Sequence, residues 1–63
     1  MPRLKIVAIE NQEDRILLYP PQGRFPYHII AKLGTLVHVG DVVEYEPYGI
    51  NFGWFIQVQQ EEI

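Results

Sequence analysis

The apolar residues of this chain come in short runs, and each run is cut off by proline, glycine or a polar cluster before it reaches the length of an ordinary helix. Residues 4–9 (Leu-Lys-Ile-Val-Ala-Ile) give way to the polar stretch 10–14, which has the length of a hairpin loop. Residues 15–19 (Arg-Ile-Leu-Leu-Tyr) stop at Pro20 and Pro21, neither of which can donate to a strand ladder. After the proline-rich loop 20–26, residues 27–33 place Tyr27, Ile29, Ala31 and Leu33 on one face if extended; a short helix is the alternative here. Residues 42–46 alternate, with Val43 and Tyr45 on one side and Val42, Glu44 and Glu46 on the other, until Pro47 ends them. The connector 47–53 holds two glycines and an asparagine and reads as a tight reversal. Residues 54–59 then put Trp54, Ile56 and Val58 on the buried side, and Phe55, Gln57 and Gln59 opposite.

This pattern predicts a single all-β domain over residues 1–63: a small five-stranded antiparallel barrel of SH3-like or OB-like type, since an open five-stranded sheet would leave its apolar face in water. With 48% hydrophobic and only 21% charged residues, the chain packs rather than stays disordered. The alternation nominates Ile6, Leu17, Ile29, Val43, Trp54, Ile56 and Val58 as the core, and Trp54→Ala then costs about 3–5 kcal/mol.

The segment 39–45, Val-Gly-Asp-Val-Val-Glu-Tyr, resembles the turn and strand found in many small barrels, among them S1-type OB domains such as bacterial translation initiation factor one. The Pro47 and Tyr48 turn before a last strand is similar to that factor as well, over about twenty residues in all. The chain departs from it in the loop 20–26 and in having no broadly basic character, so the resemblance implies a barrel rather than ribosome binding.

Several chemistries are excluded by what is missing. Cysteine and serine are both absent, which removes disulfides, thiolate metal sites and the usual nucleophiles, and Thr35 is the one aliphatic hydroxyl. No glycine pattern for phosphate or dinucleotide binding occurs, so no cofactor is expected. His28 and His38 lack metal-motif spacing; cross-strand adjacency to Glu44 or Glu46 would be needed, and structural histidines are the reading preferred over a metal site. Glu44 and Glu46, two apart on one strand face, have the placement of paired catalytic carboxylates, but a solvated outer face explains them better. The expectation is a non-enzyme. Nothing in the apolar runs is long enough for a signal-peptide core or a membrane span, so a cytoplasmic location without membrane contact is expected.

The formal charge is −3, but unevenly spread: residues 1–32 hold five cations against three acids, and residues 33–63 hold five acids and no cation. Eight aromatic side chains are more than so small a barrel encloses. Phe25, Tyr27, Tyr48, Phe52 and Phe55 are therefore nominated as partner-binding residues of an accessory subunit or protein-interaction module. The alternative is a single-stranded RNA or DNA binder of OB type, with Arg3, Lys5, Arg15, Arg24 and Lys32 on phosphates and Tyr19, Phe25 or Tyr27 stacked on bases. The two readings part on whether those cations share a face with rings. The final strand, uncharged until Glu61, reads as a weakly protected edge, from which self-association or a larger protein partner is expected, with Phe52 and Phe55 as apolar contact and Tyr48, Asn51 and Gln57 as rim.

Overall fold

A computed structural model describes residues 2–59, and all of its regular structure is strand. The elements are β1 (Arg3–Lys5), β2 (Ala8–Asn11), β3 (Arg15–Tyr19), β4 (His28–Lys32), β5 (Val42–Tyr48) and β6 (Phe52–Val58). They form one curled sheet, a half-barrel, in the order β1-β5-β6-β4-β3-β2. The short-helix alternative for residues 27–33 is thereby set aside in favour of β4. Among the described residues no helix is long and apolar enough to cross a membrane.

Two features depart from five antiparallel strands. The parallel pair is β4 with β6, because the chain leaving Lys32 returns through 33–41 to β5 and only then doubles back. The first apolar run is also split. Leu4 is half-buried and Ile6 fully buried, but Val7 and Ala8 both face solvent before Ile9 is covered again, a one-residue slip in the pleat. At the slip the backbone changes neighbours. The Ile6 N–H donates to the Asp41 carbonyl (2.8 Å) and the Gly40 N–H to the Ile6 carbonyl (2.7 Å), whereas the next residue, Val7, donates to the Tyr19 carbonyl (2.9 Å). One continuous stretch of chain thus pairs with β5 on one side of the kink and with β3 on the other.

The core consists of Ile6, Ile16, Leu18, Ile29, Ala31, Val43 and Tyr45, with Leu4, Ile9, Val37, Phe55 and Val58 packed against it. Ile6, Ile29 and Val43 are buried as the alternation requires; Leu17, Trp54, Ile56 and Val58 are not. In β3 the pleat that sets Ile16 against Ala31 and Leu18 against Ile29 sends Leu17 outward, where it is half-buried. In β6 the cause is Gly53. It occupies the inner face opposite Pro47, and a Cβ built there would stand 2.7 Å from the Tyr45 ring and 3.1 Å from the Glu46 carbonyl. The buried Tyr45 ring therefore takes the space that a side chain at 53 would fill, and Trp54 is turned outside, 44% exposed. A bulge follows: Glu44 faces Gln57 but Tyr45 faces Phe55, leaving Ile56 as the extra residue, 40% exposed, and bringing Val58 to a half-buried position.

Two further expectations change. Pro47 does not end its strand but lies within β5; β1 flanks only Val42–Glu44, and a proline is tolerated where a strand has one neighbour. Nor is β6 an edge, because it lies between β5 and β4 with ladders to both.

Candidate binding face

The outward side chains of β2, β3, β4, β6 and β5 follow from the registers and form three rows. In the first, Tyr19 ends β3, His28 begins β4 opposite Phe52, and Phe52 faces Tyr48. In the second, Glu10 faces Leu17, Leu17 faces Ile30, Ile30 faces Trp54, and Trp54 faces Glu46. In the third, Arg15 faces Lys32, beside the bulged Ile56.

The first row is a band of rings. His28 and Phe52 lie with centroids 6.2 Å apart at 17°, and Phe52 and Tyr48 5.8 Å apart at 6°. Tyr19 tilts onto His28 at 6.4 Å. Trp54 stands edge-on to both Phe52 (5.8 Å) and Tyr48 (6.3 Å), so it walls the band on one flank. Each such pair is worth about 0.5–1.5 kcal/mol beyond area burial, which fixes the rings relative to one another although half of Tyr48 is exposed.

Acids border the band. The Tyr19 hydroxyl donates to Glu10 (3.3 Å), as does the Gln12 amide (3.1 Å). Burial and the Glu10 charge together hold the Tyr19 phenol above its usual pKa. Glu46 is exposed beside Trp54, and Glu44 is held by Arg3 (3.7 Å) and the Gln57 amide (3.4 Å). The carboxylates at 44 and 46 thus occupy separate settings. At the opposite corner, Asp14 accepts from Arg15 Nε and Nη2, each at 3.1 Å, which lowers the Asp14 pKa and raises that of Arg15. Lys32 and Thr35 complete this corner, and the Thr35 hydroxyl donates to the Lys32 carbonyl (2.7 Å).

Of the residues nominated for partner binding, Tyr48 and Phe52 lie in the band. Phe25 and Tyr27 form a separate edge-to-face pair (5.0 Å) on the loop before β4, both more than half exposed, and the Tyr27 N–H donates to the Ile50 carbonyl (3.2 Å). Phe55 belongs elsewhere: it faces Tyr45 and packs against the core, so it does not share the outer face with Trp54. Of the cations, Arg15 and Lys32 share the ring-bearing face, Arg3 and Lys5 lie on β1, and Arg24 is in the loop. Tyr19, His28 and Trp54 are the members that alternation alone did not nominate for a protein partner. The pairing of β4 with β6, which brings His28 to Phe52, joins segments distant in sequence and leaves no local signal.

His38 approaches Asp41 (Nδ1 to Oδ2, 3.9 Å), while His28 stacks among the rings. Among the described residues no three His, Asp or Glu side chains gather as a metal site. Comparison with family models, curated proteins and solved structures returned no match.

Proposed function

We propose that this protein is a small non-catalytic interaction module of OB-like architecture, and that the outer face bearing Tyr19, His28, Phe52, Tyr48 and Trp54 is where a protein partner docks. For the architecture, the support is the kink at Ile6 and Val7. Counting β1 and β2 as one bent strand leaves five strands, with that strand paired to both β5 and β3. The parallel pairing of β4 with β6 favours the OB-like over the all-antiparallel SH3-like alternative.

For the function, the band of rings carries the reading. Tyr and Trp anchors surrounded by polar groups are the composition of interface centres. Glu10 and Glu46 at its two flanks make the rim acidic, which selects an apolar partner surface with basic residues at its own rim. The test is site-specific photo-crosslinking in the source cells, with a photoreactive amino acid in place of Trp54. A discrete protein adduct that survives nuclease and is lost on Glu46→Lys supports the reading. An adduct with nucleic acid, or one spread over many proteins without preference, defeats it. An adduct with a second copy of the chain would make the partner itself.

Single-stranded nucleic acid is a second reading, favoured by Arg15 and Lys32 lying on the same face as the rings. Against it stand Glu10, Asp14 and Glu46 around the face and the formal charge of −3. Trp54 is the only tryptophan, so its fluorescence reports directly on titration with oligo(dT) or oligo(U). Saturable quenching that weakens steeply with salt would establish this reading in place of the first.

A further inference from the structure

The cationic corner of the outer face is also a cavity, of about 450 Å³ and open to solvent on one side, with Ile30 and Trp54 on its apolar wall and Asp14, Arg15, Lys32 and Thr35 on its polar one. That volume lies in the range of small-ligand sites, which combine apolar walls with a few fixed polar groups.

The arrangement of charge is specific. Arg15 and Lys32 stand directly opposite each other on β3 and β4, a position in which like charges repel. Of these two cations only Arg15 has a carboxylate partner among the described residues, Asp14. Two cations and one carboxylate leave the cavity with a net charge of +1. The twofold contact from Asp14 also fixes the plane of the guanidinium, while its remaining N–H groups stay free to donate to a second acceptor. Thr35, bonded to the Lys32 carbonyl through both its N–H (3.2 Å) and its hydroxyl (2.7 Å), holds the turn from which Lys32 extends.

We infer that this cavity takes a single carboxylate carried beside a flat or branched apolar group, contributed by the docked protein; in that last respect the inference rests on the reading of the face as a protein interface. A net charge of +1 matches a monoanion, and a phosphate monoester would bring a second charge against Asp14. A nucleic-acid strand would carry further phosphates along a face whose next charged groups are Glu10 and Glu46. One carboxylate meets Arg15 and Lys32 and neither of those acids, and its apolar neighbour lies against Trp54 and Ile30.

The experiment uses the full ¹⁵N-labelled chain and two small probes, N-acetyl-phenylalanine and its neutral amide, N-acetyl-phenylalaninamide. The expected result is that the acid moves the Trp54 indole N–H and the Lys32 and Thr35 amides with a Kd of about 1 mM or weaker, and binds roughly tenfold tighter than the amide. Lys32→Met, which keeps an unbranched stem, weakens the acid by about tenfold, whereas Lys5→Met on β1 leaves it unchanged. Equal binding of acid and amide, no shift of these resonances, or an indifferent Lys32→Met overturns the carboxylate site. So does a shift by the dinucleoside monophosphate UpU without one by the acid, which would give the corner to phosphodiesters. The two readings fail separately. A Trp54 protein adduct with an indifferent Lys32→Met leaves the interface standing and removes the carboxylate pocket. Lys32-dependent binding of the acid without a protein adduct keeps the pocket and removes the interface.

Discussion

The two faces of this sheet differ in the share of rings they carry, although Leu17, Ile30 and Ile56 also lie on the outer one. The inner face is mainly aliphatic, built from Ile6, Ile16, Leu18, Ile29, Ala31 and Val43 around the buried Tyr45 ring with Phe55 packed against it, whereas the outer face holds Tyr19, His28, Phe52, Tyr48 and Trp54. A strongly curled sheet of this length encloses too little volume for several rings, and even Tyr45 is accommodated only because residue 53 has no side chain. Apolar character by itself therefore does not say which side of the sheet a residue takes. The difference between the faces is one between cohesion and recognition, and substitutions on the two should separate accordingly.

The largest effect belongs to the interior. Leu18→Ala removes a fully buried side chain, and its expected cost of about 2–5 kcal/mol is most of what a core this small supplies; urea titration measures it. Next comes Gly53→Ala, where the added methyl meets the Tyr45 ring at 2.7 Å and the Glu46 backbone at 3.1 Å. Overpacking of this kind costs about 1–3 kcal/mol. The double change Gly53→Ala with Tyr45→Leu should cost less than the sum of the two, a coupling that a thermodynamic cycle reads out.

Trp54→Ala is expected to cost about 1–3 kcal/mol, from its two edge-on ring contacts, while abolishing partner adducts formed from a neighbouring probe site such as Tyr48. A loss of about 4 kcal/mol or more by thermal melting would place the ring back in the fold's own packing and erase the contrast between the faces.

The smallest effect is a titration. Tyr19 has a folded pKa above its usual 10.0, chiefly through burial and then through the Glu10 charge, so the fold favours the neutral phenol. The sign follows: this contribution to stability is complete below about pH 10 and is lost as pH rises through the folded value. Glu10→Gln should lower the phenol's midpoint, followed by ultraviolet absorbance, but only in part, because burial persists.

Much of the architecture was legible in the sequence. Strand positions and the all-β class follow from short apolar runs and their breakers; Ile29 and Val43 were identifiable as core because their runs alternate undisturbed, and Ile6 because it precedes the slip in its own run. Leu17 was misplaced because residues 16–18 are all apolar and fix no phase, whereas the errors in β6 arose where alternation was interrupted by something non-local. The reversal of Trp54 and Ile56 depends on a glycine opposing a buried ring and on a bulge, and a bulge is a mismatch between two strands that neither strand reveals alone. For the candidate site, aromatic excess predicted exposed rings. Which rings lie together was set by the parallel pairing of β4 with β6, so His28 and Phe52 meet while Phe25 and Tyr27 pair off nearby.

The switch of partners between Ile6 and Val7 also bears on how the chain reaches its final state. β2, β3 and β4 can zip as local hairpins, and so can β5 with β6, but β1 finds β5 only across most of the chain. Closing so long a loop before its contacts form puts this pairing late and keeps the overall rate toward the slow end for small domains. Until it forms, the outer strand of each assembled piece presents bare backbone donors and acceptors, the condition under which chains add to one another. Strand β1 (Arg3–Lys5) thus acts last in folding yet guards the whole, and a chain lacking it would be expected to aggregate during refolding rather than merely melt earlier.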